Sequence, residues 1–224
     1  MREHPYVLAL VAGAGLLAVL VSGCRTPLFV DPSPGSLLPK GGVEIRPGFS
    51  CIQYENGDDS GTETRNYGIS AAFGTARVPL IGCRAQAALR FEFADHDNPE
   101  IEDWFYLGWQ GHFGISQWVS LSLSSTANWR ENSFDCNLLD LGLHGTIPLA
   151  DVARLNLSGR VIPHERDMGD SEDPAVLFAI NGSVSLSSDH DRWVVTPAVA
   201  YLIDPDEHFN RLAWALFFSI KSGT

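Results

Sequence analysis

Histidine stands beside carboxylates at four places: Asp95-His96-Asp97, His164-Glu165-Arg166-Asp167, Asp189-His190-Asp191 and Asp206-Glu207-His208. Carboxylates with a nearby imidazole can activate water, and the same atoms ligate zinc or, through carboxylates alone, calcium. These spacings match no zinc pattern, so the expectation is no catalytic set, no fixed metal and no cofactor, only divalent cations held loosely by acidic segments. Asp95, Asp97, Asp206 and His208 are the candidates for an alternative, hydrolytic use of those segments. No Gly-x-Ser-x-Gly is present, nor a glycine-rich phosphate loop before a helix. A second set consists of charges at alternate positions between apolar residues: Glu44, Arg46, Arg84, Arg90, Glu92, Asp140, His144, Arg154 and Arg160. Isolated charges facing an interior are costly, so these are expected to meet as an ion-paired network. It would either line a weakly anion-favouring pore or plug it.

The elements that must carry these residues alternate with period two, and no segment after residue 24 sustains a helical period. Ten runs result: 43–54, 66–77, 83–94, 104–113, 118–129, 136–147, 152–163, 175–187, 192–203 and 211–221. Their length suits a tilted crossing of a bilayer, which takes ~9 to 11 residues, better than the usual globular strand. One face is apolar, as in Leu139, Leu141 and Leu143 or Leu212, Trp214, Leu216, Phe218 and Ile220; the other is small and polar, as in Ser120, Ser122, Ser124 and Thr126. A soluble barrel would clothe its outside in Lys and Glu, yet the only lysines are Lys40 and Lys221. The apolar face is therefore turned outward to lipid, and closure satisfies the sheet edges. This predicts an all-β fold, a single closed antiparallel up-and-down barrel of about ten strands.

Connections alternate between long acidic ones (55–65, 95–103, 130–135, 164–174, 204–209) and short turns centred on Pro79, Ser116, Leu149 and Asp189. The long ones hold nineteen of the 27 acidic residues, so the net charge of -12 belongs to one rim. That sign excludes nucleic acid as a partner and leaves membrane lipid, with envelope proteins that meet the acidic segments. Aromatic residues near both strand ends suit interfacial girdles.

The N-terminus adds a processing signal. Arg2 precedes an apolar stretch ending in Val21-Ser22-Gly23-Cys24, too short and wrongly flanked for a spanning helix. These four residues resemble the lipobox of bacterial lipoproteins. The resemblance implies cleavage before Cys24, acylation of Cys24 and, because Arg25 stands where a retention signal has Asp, sorting to the outer membrane. An ordinary signal peptide cut near Gly23 is the alternative. The expected organisation is a signal peptide over 1–23, a lipid-anchored Pro/Gly-rich linker over 24–42 and the barrel over 43–224, with both termini periplasmic. Cys51, Cys83 and Cys136 then remain in an oxidising compartment, enough for one disulfide and no scaffold of them.

Three functions follow as expectations. The leading one is a non-enzymatic outer-membrane barrel lipoprotein, serving as a small pore, a structural element or a surface-interaction protein. A second is a lipid-tethered periplasmic barrel with a lipophilic ligand inside and the faces reversed. The third rests on spacing: Asp95 and Asp97 with Asp206 and His208 resemble the Asp-x-Asp and Asp-x-His pairs of omptin proteases, which are ten-stranded outer-membrane barrels. This chain is shorter, its strands are not expected to project far above a membrane, and its Asp-x-His pair falls on the last long connection instead of the fourth.

Overall fold

The computed structural model describes residues 30–31, 33–56, 59–77, 84–96, 104–130, 133–136, 140–167, 172–188, 192–204 and 209–222. Eleven strands follow in order: β1 Val43–Asn56, β2 Asp59–Arg77, β3 Arg84–His96, β4 Trp104–Gly114, β5 Val119–Arg130 and β6 Ser133–Cys136. After them come β7 Asp140–Ala150, β8 Ala153–Asp167, β9 Glu172–Ser187, β10 Trp193–Asp204 and β11 Phe209–Ser222. All are antiparallel to their neighbours, and the pairing of β1 with β11 and of β4 with β5 closes the sheet. The four-residue β6 pairs with Ala127–Arg130 of β5 while β7 pairs with Val119–Ser124, so β6 and β7 share one position. The barrel thus has ten staves, as the ten alternating runs predicted.

The two faces divide as the alternation requires. Thirty large apolar side chains among the described residues are exposed, spread over every stave, from Ile45 and Phe73 to Phe218 and Ile220. The alternate positions are buried and mostly small or polar: Ser120, Ser122 and Ser124 on β5, Asn156 and Ser158 on β8, Asn181 and Ser183 on β9. A row such as Leu212 to Ile220 extends ~27 Å along its strand, or ~20 Å along the axis at a usual barrel tilt, close to the height of an outer-membrane apolar band.

Three of the long connections differ from expectation. Of the stretch read as a loop over 55–65, β1 and β2 pair through Asn56↔Asp59; β8 and β9 pair through Asp167↔Glu172 within 164–174; and β5 and β6 pair through Arg130↔Ser133. The barrel ladder continues past the apolar band because each extra residue adds backbone hydrogen bonds to a register already fixed below it, whatever its side chain. The strands therefore do rise above the band as hairpins, contrary to the sequence expectation.

Residues 30–31 and 33–42 run through the lumen. At the short-turn end Gly41, with φ of 77°, turns the chain into β1, and Gly74 N donates to Gly42 O while Gly41 N donates to Gly74 O. From there the segment climbs: Leu38 N donates to Gln86 Oε1 at 3.0 Å and Gly35 N to Thr146 Oγ1 at 2.8 Å, and Asp31 N reaches Asn181 Oδ1 at 3.2 Å. Val30 ends the climb in an apolar collar with Ile52, Ile162, Leu177 and Leu202, all far along their strands toward the long connections.

Candidate functional site

The lumen is the only place where the described polar side chains converge, and Asp31 lies at its centre. Its Oδ1 accepts from Ser33 N at 2.9 Å and its Oδ2 from Gln110 Nε2 at 2.7 Å. His144 Nε2 stands 3.9 Å from the same Oδ2. Arg160 and His112 also act on this carboxylate electrostatically. A buried carboxylate is tolerated only with such company.

Six of the nine charged positions read from the sequence form close ion pairs. Glu44 accepts from Arg46 at 2.8 Å, and Arg46 also donates to Ser219 Oγ at 3.1 Å. Arg90 pairs with Glu92, two residues along the same face of β3, and stacks over the Phe217 ring at 5.9 Å. Arg160 of β8 clasps Asp140 of β7 diagonally, two residues from its direct ladder partner Gly142, through both Nε and Nη2. His144 accepts from or donates to Ser122 Oγ at 2.7 Å. Arg154 lies at the lower end beside Pro34, Ser187 and Lys221, and Arg84 is exposed at the start of β3. Alternation within a strand explains the first two pairs, since residues i and i+2 share a face.

Sequence reasoning placed Asn156 and Asn181 on the inward polar face, where both are buried, but missed Asp31, Gln110, His112 and Thr146. His112 was within reach, because it shares the inward parity of Tyr106, Gly108 and Gln110; Asp31 was not, because nothing periodic marks 30–42. The rings of His112 and His144 stand 4.8 Å apart. Neither ring nitrogen of His112 nor Nδ1 of His144 has a protein hydrogen-bond partner among the described residues. Ser122 and Asp31 both approach the same nitrogen of His144, so the three do not form a charge-relay triad, which needs the acid on the opposite nitrogen.

Space inside is scarce. The cavity bordered by Asp31, Glu44, Arg46, Gln86, Arg90 and Arg160 measures about 40 Å³, room for one or two waters. Of the rim candidates, Asp95 is half-buried near the end of β3, opposite Arg65 of β2. Asp97, Asp206 and His208 lie outside the described residues, as do Cys24, Cys83 and the whole of 1–29. No group of three or more His, Cys, Asp or Glu able to hold a metal ion occurs among the described residues.

No protein-family model matches the chain and no curated protein matches its sequence. Solved structures similar to it include the translocator domain of the autotransporter NalP from Neisseria meningitidis, at 12% identity and a TM-score of 0.43, covering 96% of each chain. Neisserial surface protein A is similar at 8% identity and 0.42, over 81% of this chain and 99% of that one. Ail, the attachment invasion locus protein of Yersinia pestis, is similar at 13% and 0.37, over 82% and 100%.

Proposed function

We propose that this chain is an outer-membrane β-barrel lipoprotein without enzymatic activity, closed by its own N-terminal segment and acting as a structural or surface-interaction element. The observation that carries this reading is the inversion of its faces: large apolar side chains exposed on every stave around a polar interior. A soluble monomer rarely exposes a contiguous apolar patch of more than a few hundred Å², whereas a bilayer requires one. The filled lumen favours a structural role over a pore. It also leaves no apolar room for a lipophilic ligand, so the reversed-face alternative has no support here. Acylation at Cys24 would supply the second membrane attachment, and the acidic hairpins would meet envelope partners and bind divalent cations loosely.

Extraction tests the reading. Membranes bearing the wild type and Cys24→Ala are washed with alkaline carbonate and then with detergent, and each fraction is run on a gel with and without boiling. Both forms should stay with the membrane until detergent is added and should migrate differently when unboiled. Release of Cys24→Ala by carbonate would mean a soluble domain on a lipid tether.

A further inference from the structure

We infer that the chain upstream of Val30 leaves the barrel through the mouth bearing the acidic hairpins, so that the mature N-terminus and any lipid on Cys24 lie on that side. This reverses the expectation of a periplasmic N-terminus and rests on the outer-membrane reading only for naming that side the cell surface.

Direction is fixed by successive contacts. Gly42 and Gly41 bond Gly74 near the end of β2, and Leu38 and Gly35 bond Gln86 and Thr146, still near the short turns. Ser33 Oγ approaches Gln110 Oε1 at 3.4 Å and Asp31 reaches Asn181, both farther up. Val30 then joins a buried apolar cluster that runs from Ala198 and Phe217, midway along their strands, up to Ile52, Ile162, Leu177 and Leu202, nine or ten residues from the short-turn ends. The described part of 30–42 thus travels from the short turns to beyond the level of Asn181 in one direction.

A return past the same segment has no room. The lumen cavity beside Asp31 is about 40 Å³, while neighbouring extended chains need ~5 Å of separation even when bonded edge to edge. Five residues separate Val30 from Cys24, so the six steps between them span at most ~20 Å of extended chain. That reach ends at the leaflet nearer the hairpins; the opposite leaflet lies back through a lumen already filled. Acyl chains on Cys24 would therefore enter the outer leaflet beside the barrel.

The test uses three versions of the full chain, each carrying one short epitope: between Pro27 and Leu28, between Met168 and Gly169, or between Ser116 and Gln117. Antibody labelling is compared in intact and permeabilised cells. The first two epitopes should label intact cells and the third only permeabilised ones. Labelling of the first epitope together with the third, opposite to the second, would overturn the placement and leave the membrane reading standing. If none labels intact cells and carbonate releases the protein, the membrane reading fails and the surface placement falls with it. Should the insertion after Pro27 prevent assembly, Thr26→Cys read with a membrane-impermeant maleimide, as an increment over the parent chain, gives the same decision.

Discussion

At the scale of single residues the molecule depends on a few buried charges whose partners are close and few. Arg160 holds Asp140 directly and acts on Asp31 electrostatically, so its loss takes the bidentate partner from one buried carboxylate and a compensating charge from a second. Arg160→Ala should destabilise the barrel by about 3–5 kcal/mol, the usual cost of breaking a buried pair from one side. A urea titration followed by the mobility of the unboiled protein would measure this. Arg160→Lys should recover only part, because an ammonium cannot span Asp140 through two parallel donors. Gly35 is a second such point. A Cβ there would stand 2.7 Å from the His144 carbonyl, 2.8 Å from Gly145 Cα and nearer still to the Trp118 carbonyl, all of it backbone that cannot swing away. Gly35→Val should therefore lift the segment off Thr146 while the ten staves stay paired. Limited proteolysis would then cut near residues 33–40 in the variant and spare the parent; identical cleavage of the two would show that the lumen has slack that the geometry denies.

At the scale of the strand, position relative to the apolar band decides the cost of a charge. Leu216 sits midway along the exposed row of β11, whereas Ile115 is exposed in the turn after β4. Leu216→Arg should cost about 2–4 kcal/mol in a bilayer and Ile115→Arg at most about 1, measured by folding each variant into vesicles. Equal costs would mean that the row does not face lipid. It is at this scale that the sequence was most readable. Strict alternation in Leu212 to Ile220 or Ser120 to Thr126 fixed both the strand and its faces, because a slip of one residue would bury every leucine in the lumen. Strand ends were less readable. Residues such as Asp59, Ser60 and Gly61 have low strand propensity and extend β2 only because β1 is already in register beside them. Residues 30–42 were unreadable for a related reason: Pro34, Gly35, Pro39 and Gly41 follow no period, and the hydrogen bonds of Asp31, Ser33, Gly35 and Leu38 go to side chains on four different strands. Asp31 could be recognised as the centre of the site only once that path was known.

At the scale of the whole molecule, barrel and plug are one chain, and the plug decides whether the lumen conducts. Ten staves enclose little more space than eight, whose interior side chains alone can fill. Here the lumen residues are smaller than that, since Gly68, Gly108, Gly142 and a row of serines point inward, and the N-terminal segment takes up the difference. The intact protein should give no stable conductance in a planar bilayer. Deleting residues 30–40 while keeping the Gly41 turn should open one, because it removes the atoms that fill the centre but none of the ladder. It also removes the carboxylate of Asp31 from a lumen whose central cavity is otherwise bordered by Arg46, Arg90 and Arg160 beside Glu44 and Glu92. The opened lumen should then favour anions, and reversal potentials in a salt gradient would show the sign. A silent deletion variant that still shows heat-dependent gel mobility would mean that the staves close inward without the segment, making it an occupant of the lumen and not its gate.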